Sequence, residues 1–247
     1  MKVKVFDGVD ELARYCAGTL RGTLALSAPE QASIALSGGS TPRRIYEAIA
    51  ESSVPGVPWN CAEVFFADER AVGPEHEDSN YRLARTHLFD SVPIPRSQIH
   101  RMPADSSELV AAAAQYEQLI RGHVPAGPNG VPVLDLVWLG MGKDGHTASL
   151  FPGTAALEED EHLVCANFVP ELGSWRMTLT YPLLRQARQV QIVVTGTDKA
   201  ERLRSVLEGA SSDSELAPVS RLQLVDGSLE WVLDREAASL LDSNVTP

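Results

Sequence analysis

Short runs rich in β-branched and aromatic residues alternate with stretches of helical periodicity along the whole chain, and this alternation limits the fold more than any other feature. Strands separated by helices need crossover connections. The expected class is therefore α/β and Rossmann-like: a mostly parallel sheet flanked by helices, with a small additional β-containing portion. Val3 and Val5 mark a first strand, and Val9, Leu12, Cys16, Leu20 and Leu24 then recur as one helix face. Strands at Ser33–Ser37 and Glu63–Ala67 flank a helix with Thr41 as N-cap, Pro42 at its first position, and Ile45, Ala48 and Ile49 buried. Asp105 with Glu108 is a capping-box variant opening a helix through Leu109, Ala112, Tyr116 and Leu119. Further strands are expected at Leu134–Leu139, Leu163–Val169, Met177–Thr180, Val190–Thr195 and Leu229–Leu233. A helix capped by Asp198 and a short terminal helix complete the reading. No repeat and no long linker divides the sequence, so residues 1–247 are read as a single α/β domain.

A chain of 247 residues, 44% of them hydrophobic, can bury a core without staples. Its 21 basic and 33 acidic residues leave a formal charge of −12, which argues against nucleic acid or an anionic membrane as partner. An anionic ligand must instead be drawn in by a local basic cluster. Cys16, Cys61 and Cys165 are far apart and match no disulfide framework or zinc spacing, and His76, His87, His100, His123 and His162 show no metal-ligand spacing. A reducing, cytoplasmic compartment and a monomer are expected. Asp7 and Asp10 interrupt any apolar leader, and no apolar run approaches membrane-spanning length.

Four of the expected strands run straight into polar clusters: Ser37–Thr41, Asp68–Arg70, Gly142–His146 and Thr195–Lys199. In a parallel sheet these ends share one edge, where ligands of open α/β sheets bind, so the clusters are expected to converge on one small molecule. In Ser37-Gly38-Gly39-Ser40-Thr41 the glycines let backbone amides approach a phosphate at a helix N-terminus, although a tight turn with a threonine cap has the same sequence. Lys199 in the first helical turn opposes the dipole, which suits an anion site or a solvated side chain. Arg70 has either a ligand or Asp68 as its partner. Asp144-Gly145-His146 sets a carboxylate two residues before an imidazole, an arrangement that orients a general base, or an ordinary Asp-Gly turn.

Gly140-Met-Gly142-Lys-Asp-Gly145 formally matches a dinucleotide fingerprint. Asp144 would set negative charge against a pyrophosphate, and Pro152-Gly153 leave little room for the required helix, so a nicotinamide cofactor is set aside.

The stretches LSGGSTP at 36–42, DER at 68–70 with SNY at 79–81, GMGKDGHTASLFPG at 140–153, RMTLT at 176–180 and TDKA at 197–200 keep a recognisable order across most of the chain. In them the chain resembles the sugar-phosphate family that contains 6-phosphogluconolactonases and glucosamine-6-phosphate deaminases, and GMGKDGHTASLFPG is the most specific. The resemblance implies a Rossmann-like fold and hydrolysis of 6-phospho-D-glucono-1,5-lactone to 6-phosphogluconate in the pentose phosphate pathway. It implies His146 as general base and Asp144 as its orienting group. Gly38, Gly39, Ser40, Thr41, Arg70 and Lys199 would bind the phosphate and neighbouring hydroxyls, with Arg176 as a further cation. No metal or other cofactor is expected in this reaction. The alternatives are a deaminase or isomerase, and a non-catalytic sugar-phosphate sensor. Against the deaminase, Arg70 stands where that branch has Tyr, and Phe151 where it has a ring-opening Glu. Against the sensor, there is no appended DNA-binding element or basic stripe to act through.

Overall fold

A computed structural model describes residues 2–51, 57–209 and 217–242. Its centre is a six-stranded, wholly parallel sheet of β1 (Lys2–Phe6), β2 (Ala32–Leu36), β3 (Ala62–Phe66), β5 (Leu136–Gly140), β8 (Gln189–Val194) and β9 (Ser228–Asp234). The spatial order is β1-β9-β8-β5-β2-β3. β2 and β3 are buried along their whole length, as strands covered on both faces must be. Helix α1 (Val9–Ser27) buries Leu12, Cys16, Leu20 and Leu24, the face anticipated from their spacing. Helix α2 (Ser40–Glu51) packs beside it and buries Ile45, Tyr46 and Ile49.

The strand order fixes where a ligand can enter. From β2 the chain steps outward to β3, whereas β5, β8 and β9 extend in the opposite direction. The connections therefore diverge between β2 and β5, opening a crevice at the carboxyl ends of these two strands. All four polar clusters follow the adjacent strands β8, β5, β2 and β3.

The additional β portion is a three-stranded antiparallel sheet, ordered β4-β7-β6, of β4 (Asp68–Arg70), β6 (Val164–Val169) and β7 (Ser174–Leu179). Only Ala67 separates β3 from β4; its N–H donates to the Leu36 carbonyl of the large sheet and its carbonyl accepts from Leu179 of the small one. Helix α4 (Leu109–His123) packs on β6. Two short helices, α3 (Asn80–Ala84) and α5 (Tyr181–Leu184), and α6 (Ala200–Glu208) are the other α-helices among the described residues.

Several local expectations need correction. Asp68–Arg70 is a strand, too short and polar to show a period of two. Helix α2 starts at Ser40, and the Thr41 hydroxyl, instead of capping it, meets the Thr195 hydroxyl at 2.6 Å. Asp105 does not cap α4, because its carboxylate accepts from Arg101 at 2.9 Å. Asp198 does not cap α6; a 3-10 turn, Thr197–Lys199, precedes the helix and Asp198 faces Lys143 and Lys199. β5 begins at Leu136 rather than Leu134, since the Asp135 carboxylate is engaged by the backbone amide and hydroxyl of Ser33. In place of a terminal helix, residues 235–240 form turns, with Asp234 accepting from the Ala237 amide at 2.7 Å; residues 243–247 lie outside the described residues.

Candidate active site

The loop after β5 is built around its imidazole. Thr147 ties back to the Gly140 carbonyl at 2.9 Å, the Gly142 amide donates to the His146 carbonyl at 2.9 Å, and Gly145 closes a turn on Gly142 at 3.0 Å. A side chain at Gly142 would overlap the His146 ring and the Asp144 carboxylate, so this glycine is required by close approach. Gly145 is required twice, by a φ of 83° and by Ala217 packed against it. No α-helix opens from the Gly140–Gly145 segment, where residues 141–150 form turns, which leaves the dinucleotide fingerprint without its defining element.

Asp144 Oδ1 lies 2.6 Å from His146 Nδ1 and also accepts from the His146 backbone amide at 3.2 Å. Nδ1 therefore carries the proton, and Nε2 presents its lone pair. Burial pushes the Asp144 carboxyl up, but the hydrogen bonds and electrostatic attraction of the His146 ring and amide outweigh it and hold the pKa below the usual aspartate value. Phe151 stacks on the imidazole with ring centroids 4.0 Å apart, fixing its plane. About 29% of the His146 side chain remains exposed, enough for water to reach it.

The pair faces a cavity of about 680 Å³ at the crevice between β2 and β5. Every residue singled out in the sequence lines it: Gly38, Gly39, Ser40, Thr41, Arg70, Asp144, His146, Arg176 and Lys199. Gly39 turns the chain at a φ of 110°. Gly38 is explained differently from the sequence reading, because a Cβ there would overlap the Asn80 side chain.

Arg70 and Arg176 are register partners across β4 and β7, so two guanidinium groups sit side by side at one end of the cavity. Burial and then the charge of Arg70 depress the Arg176 pKa. An anion placed between them would relieve both costs. Arg70 is aimed by the Asp78 carbonyl at 2.6 Å, and Arg176 by Ser174 and the Trp175 carbonyl, each at 2.9 Å. Lys143 and Lys199, which also line the cavity, share Asp198, at 3.2 and 3.8 Å.

Sequence reasoning missed the supports. Asp68 lines the cavity, accepting from Asn80 at 3.0 Å and from the Ser149 hydroxyl at 2.5 Å. Glu69 turns inward, accepting from the backbone amides of Arg70, Asn80 and Tyr81, each at 2.8 Å, and so satisfies the first two amides of α3, whose N-cap Ser79 accepts from Arg82 at 3.1 Å. Burial raises its pKa against those hydrogen bonds. The joint occurrence of Asp68-Glu69-Arg70 and Ser79-Asn80-Tyr81 was the available signal, since each segment holds the other.

The family model described as glucosamine-6-phosphate isomerases/6-phosphogluconolactonase matches residues 7–231. The chain belongs to this family. It is 43% identical over 208 residues to a 6-phosphogluconolactonase of Nostoc sp., a match spanning 84% of each protein. Among solved structures it is similar to a devB protein, with a TM-score of 0.89 at 32% identity, covering 98% of this chain and 99% of that one. It is also similar to the 6-phosphogluconolactonase of Trypanosoma brucei, with a TM-score of 0.82 at 27% identity and 98% of both chains covered.

Proposed function

We infer that this chain hydrolyses 6-phospho-D-glucono-1,5-lactone to 6-phospho-D-gluconate, a step of the pentose phosphate pathway, with His146 as the general base. The observation that carries the reading is the Asp144–His146 pair, oriented by a 2.6 Å hydrogen bond and opening on a cavity ringed by cations. The lactonase name shared by the relatives agrees with it.

The chemistry follows from the groups present. His146 Nε2 accepts a proton from water as the oxygen attacks the lactone carbonyl carbon, and Asp144 stabilises the imidazolium that forms. The tetrahedral intermediate collapses with cleavage of the bond from C1 to the ring oxygen, and the imidazolium returns its proton to that oxygen. Arg70, Arg176 and Lys199, together with Gly38, Gly39, Ser40 and Thr41 at the start of α2, hold the phosphate and hydroxyls and so position C1 near His146. Phe151, packed flat on the imidazole, occupies the place where deamination would require an acid. The route is complete without a metal or other cofactor. The protein is read further as a cytoplasmic monomer with one α/β domain; no helix among the described residues is long and apolar enough to cross a membrane.

The deciding experiment supplies freshly generated 6-phosphogluconolactone and, separately, glucosamine 6-phosphate, following acid release in one and ammonia in the other. Only the lactone should turn over, after subtraction of its spontaneous hydrolysis. Ammonia release without lactone hydrolysis would overturn the reading, and binding of either compound without turnover would point to a sensor.

A further inference from the structure

At the other end of β3, three side chains with no linear spacing in common converge: Glu63, His100 and His123. Glu63 is near the start of β3, His100 follows the segment bridged to that strand at Ile99, and His123 ends α4. One ligand atom from each lies within 4.8 Å of the other two. From Glu63 to Asp68, at the cavity, the strand runs roughly 16 Å at about 3.3 Å per residue, so the cluster is separate from the active site.

Each donor is already oriented. Glu63 Oε2 is hydrogen-bonded to His100 Nε2, while Oε1 accepts from Gln31 at 2.8 Å. His123 Nδ1 bonds the Leu119 carbonyl at 2.9 Å, which places its proton there and leaves Nε2 as the free lone pair. His100 is stacked on Phe65, centroids 4.9 Å apart. A helix-ending histidine bonded to its own helix is ordinary, but that does not explain why its ring lies 4.5 Å from a second, buried histidine beside a buried carboxylate.

We propose that Glu63, His100 and His123 form a three-donor zinc-binding site that ties the edge strand β3 to the end of α4. Two imidazoles and a carboxylate are a donor set that Zn²⁺ accepts. Bonds of about 2.0–2.1 Å meeting at the tetrahedral angle hold donors roughly 3.3 Å apart, so ring rotations that open the Glu63–His100 contact and draw in His123 suffice. The His100 ring keeps one proton, on Nδ1, and gives the metal its Nε2 lone pair. His123 is exposed, which provides an entry path and leaves the fourth position to water.

The test titrates the chelator-stripped full chain with zinc sulfate by calorimetry and follows its thermal midpoint. The parent should bind one equivalent and gain roughly 5–10 °C when zinc is present at about 100 times its dissociation constant. His123→Ala, at an exposed position where the fold tolerates change, should bind at least about 100-fold more weakly and show no zinc-dependent rise, with lactone turnover unaltered. His146→Ala should bind as the parent does, and the Co²⁺-substituted parent should show the intense visible absorption of a tetrahedral ion. Binding that survives His123→Ala and disappears with His146→Ala would move the ion to the cavity and refute the site. Absence of stoichiometric binding tighter than about 10 μM in the parent would refute it equally.

Discussion

His146 with Asp144 and His100 with Glu63 are the same two chemical groups in two settings. The first pair is formed within one tight loop, two residues apart in sequence, and opens on a cavity at the carboxyl edge of the sheet. The second joins residues 37 apart, and its side chains are only 8% and 5% exposed. Asp144 fixes one tautomer and leaves the other ring nitrogen facing space that a substrate can fill. Glu63 and His100 satisfy one another inside the fold. A histidine and a carboxylate in contact thus do not define a site; access to the second nitrogen, and what lies in front of it, decides whether the pair turns over substrate or holds structure.

Removing each histidine should separate these roles. His146→Ala is expected to lower kcat by roughly 10²–10⁴ with the thermal midpoint nearly unchanged, and Gly142→Ala, whose methyl group would overlap the ring, should approach the same loss. Retention of kcat in both would remove His146 from the reaction. His100→Ala should do the reverse, leaving kcat of the folded fraction intact while costing about 3–5 kcal/mol in denaturant unfolding, because the buried Glu63 loses its imidazole partner and keeps only Gln31. A stable but inactive His100→Ala protein would break the comparison.

The next effect is on binding. Arg70→Ala and Lys199→Ala should each raise KM more than they lower kcat, by about 1.5–3 kcal/mol where the contact is desolvated, with Arg176→Ala behaving like Arg70→Ala because the two share one end of the cavity. Unchanged KM in all three variants would place the phosphate elsewhere. The smallest effect concerns acid stability. Asp144 has a folded pKa below its unfolded value, so its contribution is present above the ordinary aspartate range near 3.9 and is lost as pH falls through the folded pKa. Half-exposure and solvent screening keep it small. The thermal midpoint of the parent should therefore fall more steeply in that window than that of Asp144→Asn, and parallel curves would refute the assignment.

The amphipathic face of α1, the buried runs of β2 and β3, and the strand-end clusters were legible because each is a local pattern, set by residue spacing within one element. Asp144 and His146 were legible for the same reason: a two-residue spacing and a glycine close their hydrogen bond. Expectations failed where a polar side chain found a competing side-chain partner, near in sequence for Asp105 and far for Thr41. Asp105 prefers Arg101, Asp198 prefers two lysines, and Thr41 prefers Thr195 to the caps that their sequence positions offered.

By itself, then, the sequence determined the α/β class, the placement of polar loops at strand ends and the pairing of Asp144 with His146, since all of these rest on patterns between near neighbours in the chain. The tertiary structure alone decided that β2 and β5 are adjacent, that Arg70 and Arg176 stand side by side, that Asn80 accounts for Gly38, and that Glu63, His100 and His123 meet. Those juxtapositions depend on strand order and cross-strand register, which are set by how whole elements pack to bury their apolar faces.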